Sequence, residues 1–133
     1  MLKKDKGHIL NVASSAGFLI GPYLNTYYAT KNYVLKFSMA IYEELKEINS
    51  NVKISVLCPG PVKTEFERVA GGKFNSDEGN SYKVAKYAID QTLKNKLVIV
   101  PGLGVKVGLF FSRFVPYKLL MKVIYKFQRN KNL

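Results

Sequence analysis

Tyr27 and Lys31 stand four residues apart at the start of a long helical pattern, which puts a phenol and an ammonium on one face about one turn apart. Near neutrality a phenol of reference pKa ~10 exchanges protons poorly, and a neighbouring ammonium favours its ionised form. A Tyr so placed can act as a general acid/base. The same spacing also describes a packing Tyr beside a solvated Lys, so the surroundings decide. Ser14 lies thirteen residues before Tyr27, at the end of a strand-like run, where open α/β sheets gather ligand-contacting groups. Parallel strands share one C-terminal edge, so Ser14, the start of the Tyr27 helix and the Pro59-Gly60 turn are predicted to converge on one crevice. Nucleophilic hydrolysis has far less to work with, because His8 is the only imidazole and sits at a strand start. Cys58 is the only cysteine, which excludes an internal disulfide and a Cys-rich metal centre, and no metal ligands are assigned.

The elements that must hold these groups alternate. Residues 8–13 (HILNVA), bounded by Gly7 and a Ser-Ser-Ala-Gly cluster, read as a short buried strand, and 14–25 as a loop. From 27 to 48 the period is helical, with Val34, Leu35, Phe37, Ile41, Leu45 and Ile48 on one broad face. Asn25 or Thr26 is the expected N-cap and Asn49-Ser50-Asn51 the stop. Residues 52–58 form a second strand, ended by Pro59-Gly60-Pro61. A capping box at Thr64-Glu65-Phe66-Glu67 predicts a short helix ending at Gly71-Gly72, followed by a polar loop over 71–80. Residues 81–94 are a helix turning Val84, Ala85, Ala88, Ile89 and Leu93 inward, and 97–100 a third strand. This β-α-β-α-β order with apolar strands predicts a parallel sheet covered on both faces and connected right-handedly.

The 133 residues are 47% apolar with nine Tyr and eight Phe, too hydrophobic for disorder and sized for one small domain. Net charge is +12, and nine cations against no acid follow Asp90, so the last third carries +9 of it. Such a balance suits an anionic ligand or surface. No apolar run of signal-peptide length follows the basic MLKKDKG start, and the apolar stretch of 97–117 is broken by Pro101, Gly102, Lys106 and Arg113. Neither a signal peptide nor a spanning helix is expected, and a cytoplasmic protein is.

Three motifs then meet in order: Asn-Val-Ala-Ser-Ser-Ala-Gly at 11–17, Tyr-Tyr-Ala-Thr-Lys at 27–31 and Pro-Gly-Pro-Val-Lys-Thr at 59–64. With this spacing they resemble the classical short-chain dehydrogenase/reductase family, from about Gly7 to Pro101. The resemblance implies an α/β fold, the C-terminal half of a Rossmann-like doubly wound parallel sheet, with three strands and flanking helices. It also implies an NAD- or NADP-dependent oxidoreductase moving hydride between nicotinamide and a carbonyl or secondary alcohol. Tyr27 matches the family's general acid/base, Lys31 the lysine that assists it and holds the nicotinamide ribose, and Ser14 the serine that orients the substrate oxygen. Ser15 is the rival for that place, one residue short of the family spacing. Pro59, Gly60, Val62 and Thr64 match the segment around the nicotinamide, and free N–H groups at a helix start by Thr64 suit phosphate oxygens. The choice between NAD and NADP has no determinant in these residues.

The family's glycine-rich fingerprint, its Asn-Asn-Ala-Gly strand motif and its helical catalytic asparagine have no counterpart here. The chain therefore reads as a C-terminal half, with MLKKDKG as the tail of a preceding helix. On that reading residues 1–112 are the catalytic half and 113–133 a basic amphipathic C-terminal helix. Such a half is expected to be marginally stable and inactive alone, strand 8–13 leaving an unpaired edge. Relatives pair through the helix matching 27–48, and Tyr33, Met39 and Tyr42 on its outer face imply a homo-oligomer at full length. Phe18, Leu19, Ile20, Phe66 and Phe74 imply a small apolar carbonyl or alcohol substrate. In 113–131, Leu119, Leu120, Val123, Ile124 and Phe127 recur at helical spacing among Lys118, Lys122, Lys126 and Arg129. That pattern describes a helix covering the active-site side of its own fold, resting on an anionic membrane surface, or binding an acyl-CoA-like anionic substrate. Nucleic acid is not expected, since no aromatic platform or basic groove motif accompanies the charge. The competing reading is a non-catalytic basic fragment on a membrane surface or partner, with Tyr27 and Lys31 as inherited scaffold.

Overall fold

A strand buried on both faces needs a layer on each side, and Ile54, Ser55, Val56 and Leu57 are all buried. They belong to β2 (Lys53–Leu57), the middle of a parallel sheet with β1 (His8–Val12) on one side and β3 (Val98–Ile99) on the other. The structure, a computed structural model, describes residues 1–62 and 80–129. Side chains alternate along β2, so Val56 and Leu57 face opposite layers. Helix α1 (Asn25–Glu47) packs Leu35 with Ala13, Val56 and Cys58 on one face. Helix α2 (Ser81–Leu93) packs Ala88 with Leu57 and Ile99 on the other. A polar tie reinforces the first layer: the Asn11 amide donates to the Ser38 hydroxyl at 2.9 Å, and that hydroxyl donates to the Val34 carbonyl at 2.7 Å.

Both faces are covered, as the strand pattern predicts, but the two crossovers cannot share one hand. The strands step across the sheet in a single direction while α1 and α2 lie on opposite faces, so one connection departs from the right-handed rule. The stripe of α2 is also rotated from the expected one. Ala88 and Thr92 are buried and Val84 and Tyr87 pack beside Ala88, whereas Ala85, Ile89 and Leu93 are exposed. The cap of α2 is well defined, Asn80 Oδ1 accepting from the N–H groups of Tyr82 and Lys83. The expected helix over 64–72 and loop to 79 lie outside the described residues.

Beyond β3 the chain forms two helices rather than one over 113–131. Gly102, at φ 82°, turns the chain into α3 (Leu103–Ser112), and α4 (Tyr117–Arg129) follows. The first of these gave no signal because its apolar residues surround it and no polar stripe marks a period. At the other end Leu2–Lys4 form a 3₁₀ turn, closed by Asp5 at φ 41°. The Asp5 carboxylate accepts from the Ser50 hydroxyl at 2.7 Å and from the Asn51 N–H and side-chain amide at 2.8 Å each. The Ser50 bond, then those from Asn51, hold its pKa below the ordinary 3.8.

The expected fold class therefore needs a correction. The three-stranded parallel sheet and its flanking helices extend over nearly the full chain, from Leu2 to Arg129, and are not confined to a C-terminal portion of it. The physical reason is that β1 already pairs with β2 from residue 8 onward, and β2 obtains a helical layer on each face from within these residues.

Candidate active site

Ser14 is delivered by the end of β1. The Ala13 N–H still donates to the Leu57 carbonyl at 2.8 Å, and the Ser15 N–H donates to the Pro59 carbonyl at 2.8 Å, so β1 and β2 release their chains side by side. There Ser14 caps a 3₁₀ turn (Ser15–Phe18), its Oγ accepting from the Ala16 N–H at 3.1 Å. The same hydroxyl donates to the Pro59 carbonyl over a long 3.5 Å, and Ser14 is buried. Gly17 is needed for the turn to lie close to α1, since a Cβ there would stand 2.8 Å from the Lys31 carbonyl oxygen.

Tyr27 and Lys31 occupy the first turns of α1, on the side facing this turn. The Lys31 ammonium stands 5.8 Å from the centre of the Tyr27 ring and donates to the Val12 carbonyl at 3.2 Å. Tyr27 also meets Tyr28 edge-on, with ring centres 6.0 Å apart. Burial raises the Tyr28 hydroxyl above the ordinary 10, against an opposing hydrogen bond from Gln128.

These groups share one cavity of about 320 Å³. Ser14, Tyr27, Lys31, Pro59, Gly60 and Val62 all line it, so the convergence predicted from strand ends is found. Ser15 lines it too. Thr64, Phe66 and Phe74 lie outside the described residues. Of the expected substrate-side residues Leu19 reaches the cavity, whereas Phe18 packs against the Leu35–Val56 cluster. Cys58 sits at the same sheet edge, but it is fully buried and desolvation pushes its thiol up to about 12, which leaves it no nucleophile near neutrality.

Two contributors escaped the sequence reading. Tyr28 forms part of the cavity wall although only Tyr27 has the four-residue spacing to Lys31. Gln128, a hundred residues later, donates from Nε2 to the Tyr28 hydroxyl at 2.8 Å. Periodicity could not find it, because Gln128 is a polar residue buried in a helix whose apolar residues are largely exposed.

Strand ends, a Tyr–Lys helix start and a proline turn around one cavity define an α/β domain with a cavity at the C-terminal edge of its parallel sheet, the place where open α/β folds take ligands. A family model for short chain dehydrogenase matches residues 1–74, and the chain belongs to that family. It is 32% identical over 128 residues to 17-beta-hydroxysteroid dehydrogenase 13 of Rattus norvegicus, an alignment covering 92% of this chain and 41% of that protein. A Burkholderia phymatum short chain dehydrogenase/reductase solved with NAD matches with a TM-score of 0.71 at 22% identity, over 82% of this chain and 48% of that one. A Burkholderia cenocepacia short chain dehydrogenase solved with NADP matches with a TM-score of 0.73 at 18% identity, over 92% of this chain and 49% of that one. At these identities the structures speak for the fold.

The coverage corrects the recognition drawn from sequence, which placed the likeness in a C-terminal half only and between Gly7 and Pro101. The family match begins at residue 1, and matching structures cover 82–98% of the chain. The chain itself spans about half the length of those solved structures.

Proposed function

We propose that this protein is an NAD- or NADP-dependent oxidoreductase acting on a small apolar carbonyl compound or the corresponding secondary alcohol. The observation that carries the reading is the single cavity lined by Ser14, Tyr27, Lys31 and the 59–62 turn. In the reducing direction the Tyr27 hydroxyl breaks its O–H bond and gives the proton to the substrate carbonyl oxygen. The Ser14 hydroxyl exchanges its long contact with the Pro59 carbonyl for a hydrogen bond to that same oxygen, stabilising the charge that gathers there. Lys31 keeps a positive charge over the Tyr27 ring while its bond to the Val12 carbonyl fixes its position. In the oxidising direction the same groups act in reverse.

The cavity fits a nicotinamide. Its lining is mostly apolar, with one ammonium, and Pro59 and Pro61 lack N–H groups, so the turn offers carbonyl acceptors with donors only at Gly60 and Val62. That mixture suits a flat ring bearing one amide. NAD or NADP, when bound, supplies or receives the hydride. Lys31, Pro59, Gly60 and Val62 would hold its nicotinamide end, and Thr64 joins them by family likeness. The two coenzyme-bearing relatives support this assignment. The test is coenzyme-dependent reduction of cyclohexanone and acetophenone by the purified protein. Wild-type turnover with loss in Tyr27→Phe is expected, and undiminished turnover in that variant overturns the assignment.

Two partner surfaces belong to the same proposal. On the outer face of α1, Tyr33 and Phe37 stack in solvent with ring centres 5.6 Å apart beside exposed Met39 and Tyr42, and we assign this face to a second copy. A second reading, contact with an anionic membrane surface, is favoured by α3, α4 and the turn between them, which expose Phe110, Phe111, Phe114 and Tyr117 among Arg113, Lys118 and Lys122. Among the described residues no helix is long and apolar enough to cross a membrane. Sedimentation alone and with phosphatidylserine vesicles tests both: a strictly monomeric, vesicle-free protein removes the two surfaces together.

A further inference from the structure

Helix α4 inverts the usual order of a surface helix. Leu119, Met121, Val123, Tyr125 and Phe127 are exposed, and the one buried residue of the helix is a polar one, Gln128 at 6% exposure. A buried amide requires a specific partner, and Gln128 Nε2 finds the Tyr28 hydroxyl at 2.8 Å. Three residues earlier on the same face of α4, Tyr125 stacks on Tyr23 with ring centres 5.4 Å apart, and the two hydroxyls hydrogen-bond at 3.0 Å. Tyr23 and Tyr28 bracket the start of α1, so α4 grips the segment that delivers Tyr27 at two points.

The Tyr28 ring is held from other sides as well. It packs directly against Gly21, where an added Cβ would collide with the ring, and it meets the Tyr27 ring edge-on. Gln128 fixes its far end. A cavity wall one residue from the proton donor is therefore set by a residue a hundred positions away. Gln128 Oε1 has no hydrogen-bond partner among the described residues, so the amide carries a desolvation cost that a methionine of similar size would avoid. A role confined to packing would favour the methionine.

From this we infer that Gln128 is a positioning residue for substrate selection, holding the Tyr28 ring as the wall of the cavity beside Tyr27. The inference rests on the oxidoreductase reading for its consequence in turnover, while the clasp itself is independent of it. The experiment is a double-mutant cycle of Gln128→Met and Tyr28→Phe in the full chain, read by ketone kinetics and by amide hydrogen exchange over residues 21–28. Each single variant is expected to raise KM for acetophenone about three- to tenfold, more than it changes KM for the smaller cyclohexanone and more than it changes kcat. The pair together should be no worse than either alone, and exchange over 21–28 should quicken to the same extent in all three. Gln128→Glu, which keeps an acceptor, should recover part of the acetophenone affinity through a hydrogen bond from the Tyr28 hydroxyl. Additive effects, equal losses for both ketones, or unchanged exchange overturn the inference. A wild-type protein without turnover counts against the oxidoreductase reading alone, because the exchange cycle still decides the clasp.

Discussion

Among the described residues two lysines stand over a tyrosine ring, and by contact geometry alone the pair outside the cavity is the tighter one. Lys106 stands 5.6 Å from the centre of the Tyr87 ring and donates to its hydroxyl at 3.3 Å. Lys31 stands 5.8 Å from the Tyr27 ring, with its own hydrogen bond going to a backbone carbonyl. Yet Tyr87 packs against the Leu57–Ala88–Ile99 cluster and its lysine comes from α3, so that pair ties two helices together. Neither of its members lines the cavity that Ser14 shares with Tyr27 and Lys31. The difference teaches that a phenol beside an ammonium is an ordinary contact, and that a third group aimed at the same space turns it into a candidate for proton transfer.

The widest separation between the pairs should come from removing one hydroxyl at a time. Tyr27→Phe is expected to lower kcat/KM for ketone reduction about 10²- to 10⁴-fold, and Tyr87→Phe to leave it within about twofold, measured by coenzyme absorbance under identical conditions. Equal losses in both would dissolve the comparison. Glycines probe the same contrast at lower amplitude. Gly21→Ala drives a methyl into the Tyr28 ring and should cost about 1–3 kcal/mol in urea unfolding. Gly108→Ala, in α3 with nothing within 4 Å of its new methyl, should instead gain about 0.5–1 kcal/mol. The smallest effect belongs to the N-terminal turn, which contacts neither cavity nor pair. Because the folded Asp5 carboxyl is held below 3.8, its contribution to stability is complete above that pH and is lost as pH falls through the lowered value. Asp5→Asn should flatten that acid-side decline, followed as the melting temperature against pH.

Much of the site was legible because its residues obey local rules. The run HILNVA ends at a serine pair, the 27–31 segment opens a long amphipathic helix, and Pro59 stops a strand, so parallel-sheet geometry brings them to one edge. What stayed hidden depends on partners distant in sequence. The inward face of α2 is set by where Leu57 and Ile99 present themselves, which turned Ala85, Ile89 and Leu93 outward against expectation. Helix α3 hides its period because its apolar residues surround it and no polar stripe marks one face. One of the two crossovers departs from the right-handed rule, because the faces on which α1 and α2 pack are decided by tertiary contacts rather than by periodicity.

From its letters alone the chain determined that strands and helices alternate, that the strands are parallel, and that a phenol, an ammonium and a hydroxyl can meet, since side-chain period and strand polarity are local properties. Only the tertiary structure decided that Tyr28 walls the cavity, that Gln128 reaches back across a hundred residues to hold it, and that Tyr87 and Lys106 serve packing. Those outcomes are fixed by which surfaces are left facing one another after the sheet is layered, and no window of sequence contains both sides of such a contact.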